Sequence, residues 1–300
     1  MQYRATPDGL FFISACLDKL PMVRDGVTGD WVGTLEGHKG AVWSAKLDAA
    51  ACRAATGSSD FTACVWDAIN GSVITTLEHG HVVKGVDLTR GGERLATACL
   101  DKKLRIFDLA RADAPPAVLT HSDKLLKVLW TPGEQSVITG SEDGVVRLWD
   151  LRSGTVAAER SLGGPGAAIS DLELSPDGAI LTAAAGSSVF ICGAAGLEVQ
   201  RRHTLDAGVE AASLHPVLRH RLVVGSTDAS VRILDAESGA LLSTLKGHHA
   251  PVHCVRFAPS GDTFSSGAGD ATVRIWKLDD YASKAAEPVS SSSGAAKEVA

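Results

Sequence analysis

Apolar and polar residues alternate with a period of two along short stretches of this chain, and turn residues separate the stretches. AVWSAKL (41–47) and CVWDA (64–68) alternate in this way. VITTL (73–77) follows after Asn70-Gly71, a pair that suits a tight hairpin turn because both residues tolerate positive φ. Ser175-Pro-Asp-Gly178 and Pro259-Ser-Gly261 are further turns, each between the first two strands of its segment. The pattern predicts short antiparallel strands joined by tight turns.

The strands recur with a long period. A histidine is followed 22 residues later by an aspartate in four segments: His38 to Asp60, His79 to Asp101, His121 to Asp143 and His248 to Asp270. Six residues beyond each aspartate stands a large apolar residue, Trp66, Phe107, Trp149 or Trp276, usually followed by an acidic one. Two more segments keep the aspartate without the histidine, at Asp18 and Asp228, and the missing member of the series falls near Gly186. The successive steps are then 42, 41, 42, 43, 42 and 42 residues. A repeat of this length with G-H and W-D signatures is that of a WD40 β-propeller, with four strands to each blade. The expected fold is all-β, with seven blades near 1–35, 36–77, 78–119, 120–162, 163–205, 206–245 and 246–278, forming one domain over 1–278.

Composition narrows the function. The chain has 300 residues, 45% hydrophobic and 21% charged, with 31 glycines and a formal net charge of −6. A net negative balance argues against a dedicated binder of phosphate backbones, while leaving room for a local basic patch. No apolar run approaches the length of a membrane span, and the start MQYRATPDGLFF lacks a signal pattern, which leads to an expected place in the cytoplasm and also the nucleus. Cys16, Cys52, Cys64, Cys99, Cys192 and Cys254 form no CxxC pair and read as free thiols, several packed in strands.

The repeated His, Asp and Trp invite a catalytic or metal-binding reading. A catalytic set has no reason to recur in every blade, whereas a hydrogen-bonded frame does. His38, Asp60, Trp66, His79, Asp101, His121, Asp143, Trp149, Asp228, His248, Asp270 and Trp276 are therefore assigned structural roles. No phosphate loop, HExxH or GxSxG sequence is present, and His253-Cys254 are strand neighbours whose side chains point apart. No catalytic residue, metal ligand or cofactor is expected. Arg201-Arg202-His203 and Arg219-His220-Arg221 read as solvated loop faces, with contact to an acidic partner or an RNA phosphate as the alternative.

Particular strings go further than the generic repeat. FFISACLDKLPMVRDGVTGDWVGTLEGHKGAVWSAKL (11–47), AATGSSDFTACVWDAINGS (54–72), HVVKGVDLTR (81–90), DKKLRIFDL (101–109) and GHHAPVHCVRFAPSGD (247–262) resemble the serine/threonine kinase receptor-associated protein family, also called Unrip. The arginine in PMVRDGVTGDW is the most telling, because it departs from the ordinary WD consensus. The resemblance implies a non-catalytic scaffold. It implies first a component of the SMN complex, with Gemin-like and Sm proteins as partners in assembling small nuclear ribonucleoproteins. It also implies an adaptor for a receptor kinase of the TGF-beta type and for Smad-like proteins. The nearest alternative is a scaffold like subunit I of translation initiation factor three.

In WD40 proteins the partner-contacting positions lie three and five residues after the histidine and one before the aspartate. Carried onto this sequence, they are Trp43, Lys84, Lys124, Leu126, Pro251 and His253, with Leu17, Leu100 and Glu142 from the aspartate side. Two departures from the family are expected to matter. The fifth blade has Gly164, Gly186 and Cys192 in place of histidine, aspartate and tryptophan. The chain also starts midway through the first strand of blade one, so the N-terminal closing strand is missing and blade seven is expected to keep only three strands with an exposed edge. Residues 279–300 read as a disordered tail, with Ser290–Ser293 as candidate modification sites.

Overall fold

The computed structural model describes residues 1–111, 114–164, 166–278 and 297–299. Those residues hold no helix. Twenty-eight strands form seven four-stranded antiparallel sheets, the blades of a seven-bladed β-propeller. Every sheet is a meander in which each strand pairs with its sequence neighbour, as tight turns between strands dictate.

Blade one is built from β1 (Gln2–Thr6), β2 (Gly9–Ser14), β3 (Met22–Asp25) and β4 (Trp31–Thr34). Blade two holds β5 (Val42–Leu47), β6 (Arg53–Ser58), β7 (Thr62–Asp67) and β8 (Val73–Glu78). β9 (Val83–Leu88), β10 (Arg94–Cys99), β11 (Lys103–Asp108) and β12 (Ala117–Thr120) make blade three. Blade four runs through β13 (Leu125–Trp130), β14 (Ser136–Ser141), β15 (Val145–Asp150) and β16 (Thr155–Ser161). Blade five comprises β17 (Ile169–Leu174), β18 (Ile180–Ala185), β19 (Ser188–Gly193) and β20 (Val199–Thr204). β21 (Val209–Leu214), β22 (Arg221–Ser226), β23 (Val231–Asp235) and β24 (Leu241–Leu245) form blade six, and β25 (Val252–Phe257), β26 (Thr263–Ala268) and β27 (Val273–Lys277) begin blade seven.

The chain divides into two compact units, Met1–Ile169 with Ala195–Leu197, and Ser170–Ala194 with Glu198–Ala300. In the first, the core lies between neighbouring blades. Ile13, Val23 and Leu35 of blade one pack on Leu47, Cys64 and Trp66 of blade two. Val65 of blade two meets Val86, Leu95 and Phe107 of blade three, and Leu104 and Ile106 of blade three meet Leu125, Val137 and Trp149 of blade four. The second unit repeats the scheme, with Val189 and Ile191 against Leu222 and Val224, then Val223 and Ile233 against Val255, Phe264 and Trp276. A strand buried on both faces has few polar positions, which explains the unbroken buried runs in β6, β18 and β22.

Two expectations need correction. Blade seven has four strands, because β28 (Lys297–Val299) pairs antiparallel with β27, Val273 opposite Val299 and Ile275 opposite Lys297. An uncovered β27 would leave a row of amide and carbonyl groups unpaired, and the C-terminal segment supplies the partners. The disordered-tail reading therefore fails for Lys297–Val299, while residues 279–296, including Ser290–Ser293, and residue 300 lie outside the described residues. In blade one, β1 pairs with β2 from Gln2 to Thr6.

Candidate partner-binding face

Five of the seven blades are framed by the residues that sequence assigned to structure, and the frame comes in two forms. In blade two the ring of His38 takes Asp60 Oδ2 through Nδ1 at 2.8 Å and Thr56 Oγ1 through Nε2 at 2.6 Å, while Trp66 Nε1 donates to the same Thr56 hydroxyl at 2.8 Å. Blade seven repeats it with His248, Asp270, Ser266 and Trp276 at 3.0, 2.7 and 2.8 Å. Burial would raise the Asp60 carboxyl, yet hydrogen bonds from Thr62, His38 and the Lys39 amide hold it at about 2. Burial likewise opposes a charge on His38, but Cys64 and Asp60 outweigh it and raise its pKa.

In blades three, four and six the aspartate turns instead to an arginine four residues on. Asp101 pairs with Arg105 at 2.6 Å, Asp143 with Arg147 at 3.0 Å and Asp228 with Arg232 at 2.5 Å. A bidentate guanidinium outcompetes a neutral imidazole for a carboxylate. Cys64 stands at that position in blade two, so His38 keeps its aspartate. Arg274 stands there in blade seven, where Asp270 nevertheless takes His248. The released histidines keep their hydroxyl partners, His79 on Thr97 at 2.9 Å and His121 on Thr139 at 3.5 Å. Burial first, then Arg105 and Arg147 respectively, push both down to about 4.

The frame also includes the hydroxyls of Thr56, Thr97, Thr139 and Ser266, which the sequence analysis did not name. They stand four before the aspartate, a spacing that was available as a signal. Ser58 and Ser141 serve the turn instead, binding Gly40 O and Asp143 Oδ1. Buried Arg24, the arginine of PMVRDGVTGDW, donates to Gly29 O at 3.4 Å within its own blade.

The contact positions carried over from WD40 proteins have a common geometry. The residue before the aspartate and the residue three after the histidine are joined by backbone hydrogen bonds in blades two, three, four and seven: Ser59 to Ala41, Leu100 to Val82, Glu142 to Lys124 and Gly269 to Pro251. The residue five after the histidine is the extra residue of a β-bulge in the first strand of the blade. Pairing skips Trp43 between Val42 and Ser44, Lys84 between Val83 and Gly85, Leu126 between Leu125 and Lys127, and His253 between Val252 and Cys254. A bulge takes its residue out of the ladder and re-aims the side chain. Glu210 occupies the same bulge in blade six and was missed, because that blade lacks the histidine from which the count began.

In the first unit two pairs of these residues touch, Trp43 with Lys84 and Lys124 with Glu142. Trp43 and Leu17 are 43% and 59% exposed, and the Lys84 ammonium stands 3.0 Å from the centroid of the Trp43 ring. Burial, followed by the charge of Lys127, lowers Lys84 to about 8. Lys124 and Glu142 pair with each other at 2.8 Å, and Leu100 and Leu126 are half-buried. In the second unit Pro251 is half-buried, and exposed His253 reaches Glu210 at 3.3 Å.

Phe61 is an addition from the structure. The residue after the aspartate is left-handed at Lys19, Phe61, Lys102, Gly144, Ala229 and Ala271, which the tight b–c turn requires. An aromatic side chain in that conformation is uncommon. Phe61 is 46% exposed and lies against His81, ring centroids 5.4 Å apart.

Among the described residues no three His, Cys, Asp or Glu side chains converge as metal ligands, and no helix is long and apolar enough to cross a membrane.

Comparison with known proteins agrees with this architecture. The WD domain, G-beta repeat family matches residues 29–67, 71–108, 115–150 and 239–277. Serine-threonine kinase receptor-associated protein of Gallus gallus is 41% identical over 273 residues, covering 91% of this chain and 77% of the relative. The protein of the same name from Dictyostelium discoideum is 40% identical over 275 residues, 90% and 91% of the two chains. Eukaryotic translation initiation factor 3 subunit I of Drosophila ananassae is similar at 27% over 305 residues.

Proposed function

Since the chain belongs to the serine-threonine kinase receptor-associated protein family of WD-repeat proteins, we propose that it is a non-catalytic scaffold whose first choice of role is in the SMN complex, in cytoplasmic assembly of spliceosomal small nuclear ribonucleoproteins. The single observation that carries a scaffold role is the division of labour among its polar residues. In blades two and seven the repeated His, Asp, hydroxyl and Trp groups bind one another, and in blades three, four and six the aspartate is taken up by an arginine of its own blade, while Trp43 and Leu17 stand exposed and Lys84 lies over Trp43. A large aromatic side chain with apolar neighbours and a polar rim is the make-up of an interface hot spot.

The partners are Gemin-like and Sm proteins, with RNA reached through them, and the protein works in the cytoplasm and also the nucleus. The names of its relatives support a second role beside a receptor kinase, for which we propose Smad-like proteins as further partners. A translation-factor scaffold is the alternative, and the lower 27% identity to those relatives ranks it behind.

Affinity purification of the full chain from its source cells, followed by mass spectrometry, tests the assignment. Gemin-like and Sm proteins are the expected co-purifying set. Initiation-factor subunits in their place would overturn it in favour of the alternative.

A further inference from the structure

Blade five keeps half of a pattern that other blades complete. In blades two, six and seven the turn aspartate accepts the hydroxyl two residues on: Thr62 to Asp60 at 2.6 Å, Ser230 to Asp228 at 2.6 Å and Thr272 to Asp270 at 2.8 Å. In blade six the same carboxylate also meets the Arg232 guanidinium. Blade five retains a hydroxyl at that position, buried Ser188, but Gly186 stands two residues before it in place of the aspartate. Phe190 takes the arginine's place on β19, and a guanidinium arrives from the next strand instead. Arg202 of β20 lies opposite Phe190 in the ladder, its Cζ 5.4 Å from the centroid of that ring. Its Nε and Nη2 donate to Ser188 Oγ at 3.3 and 3.2 Å, and Thr204 Oγ1 stands 3.0 Å from the same oxygen.

These donors lack an acceptor of matching charge. One hydroxyl oxygen serves both N–H groups of a guanidinium edge that a carboxylate meets with an oxygen for each. Arg256 in the same unit shows the complete form, its two Nη atoms on the two oxygens of Asp171 at 2.6 and 2.7 Å. Among the described residues no carboxylate pairs with Arg202, which is exposed.

We propose that Arg202, Ser188 and Thr204 receive the side-chain carboxylate of an aspartate or glutamate from a protein partner, in the role that the blade's own aspartate fills elsewhere. This rests on the scaffold reading above and adds a second contact, of stated chemistry, on the second unit. Arg202 presents its Nε–Nη2 edge to the incoming group, and the Ser188 and Thr204 hydroxyls rotate from each other toward it. Buried Ser188 closes one side of the contact, while exposed Arg202 and Thr204 leave the other open to a partner. A carboxylate suits the place better than a phosphate. In five other blades the corresponding turn closes on a carboxylate, through the amides of Thr62, Lys103, Val145, Ser230 and Thr272. A single guanidinium also balances one negative charge, not the two of a phosphate monoester.

The test follows the Nε–H magnetic resonance signal of Arg202 in the full chain carrying isotopically labelled arginine, assigned by its loss in Arg202→Lys. The probes are an acetylated, amidated Gly-Ser-Glu-Val-Ser-Gly peptide, the same peptide with glutamine for glutamate, and the same with phosphoserine there. The glutamate peptide is expected to shift the Arg202 signal saturably, with the Arg201 signal unmoved, and the glutamine peptide to leave both in place. Ser188→Ala is expected to weaken that binding several-fold with an unchanged melting curve. The co-purified partner supplies a second readout: Arg202→Gln is expected to lower its affinity about tenfold or more, and Arg202→Lys by less, since lysine keeps the charge without the fork. No shift with the glutamate peptide, an equal shift with glutamine or a stronger one with phosphoserine would overturn the proposal. The wild-type titration decides this even where a variant loses its fold. Full partner affinity on Arg202→Gln would overturn the contact and leave the scaffold reading standing, whereas a different co-purifying set would overturn that reading and leave the titration to judge the site.

Discussion

The imidazole of His38 and the hydroxyl of Thr56 meet at 2.6 Å inside blade two, and the same oxygen receives the indole N–H of Trp66. Thr56 and His38 are both buried, so each would lose its partner without gaining water. Thr56→Val keeps the shape and removes the shared oxygen, leaving two buried ring nitrogens without it. A loss of about 1–3 kcal/mol in urea denaturation is expected. Asp60→Ala should cost a similar amount, since Lys39 N, Thr62 and His38 all depend on that carboxylate. Unchanged unfolding midpoints for both variants would contradict the frame.

Acid should weaken the fold in two stages. His79 and His121 stand at about 4, below the ordinary value of ~6.5, so the unfolded chain binds protons there before the folded one does. Their contribution is present above about pH 6.5 and is lost as the pH falls toward 4. Asp60 and Asp228, held at about 2, lose theirs only below the ordinary carboxylate range. His38, with a raised pKa, acts in the opposite direction from His79 and His121. Urea midpoints between pH 7 and pH 5 should fall for wild type and fall less for the His79→Gln, His121→Gln double variant. Parallel declines would show that these histidines do not carry the first stage.

Much of this fold was legible in the sequence, because a blade must repeat its hydrogen-bonded turn at fixed spacing. The expected end of blade two at residue 77 and of blade four at 162 lie within one residue of the ends of β8 and β16. The degenerate blade five still pairs as four strands, since backbone pairing does not depend on its lost aspartate and histidine. The choice of partner for each aspartate was less legible. Arg105, Arg147 and Arg232 look like ordinary alternating polar residues until the strand places them beside the turn. β28 has three residues and no period, so nothing in its sequence announced a strand.

That short strand supplies another prediction. Removing residues 297–300 uncovers the β27 edge opposite Val273, Arg274 and Ile275. The melting temperature should drop by a few degrees, as a loss of about 1 kcal/mol would give, and light scattering should show concentration-dependent association through the edge. An unchanged melting curve with a monodisperse sample would mean that β28 contributes nothing to blade seven.

Left-handed turn residues divide by purpose. Lys102 and Ala229 carry φ of 67° and 64° with no ring contact of their own, so Lys102→Gly and Ala229→Gly should be neutral or stabilising by up to about 1 kcal/mol. Phe61→Gly should behave alike in stability yet weaken partner binding, because its exposed ring beside His81 is lost. Partner affinity unaltered by Phe61→Gly would remove Phe61 from the face.

The central claim is that the outward Trp43–Lys84 pair, and not the repeated His–Asp frame, is where this scaffold meets its partner. The most direct measurement is the Kd of the co-purified partner for wild type and for the Trp43→Ala, Lys84→Glu double variant, each with its melting curve. The account predicts a loss of about 2 kcal/mol or more, roughly thirtyfold in Kd, with the melting temperature nearly unchanged. Undiminished affinity, or unfolding of the double variant, would contradict it.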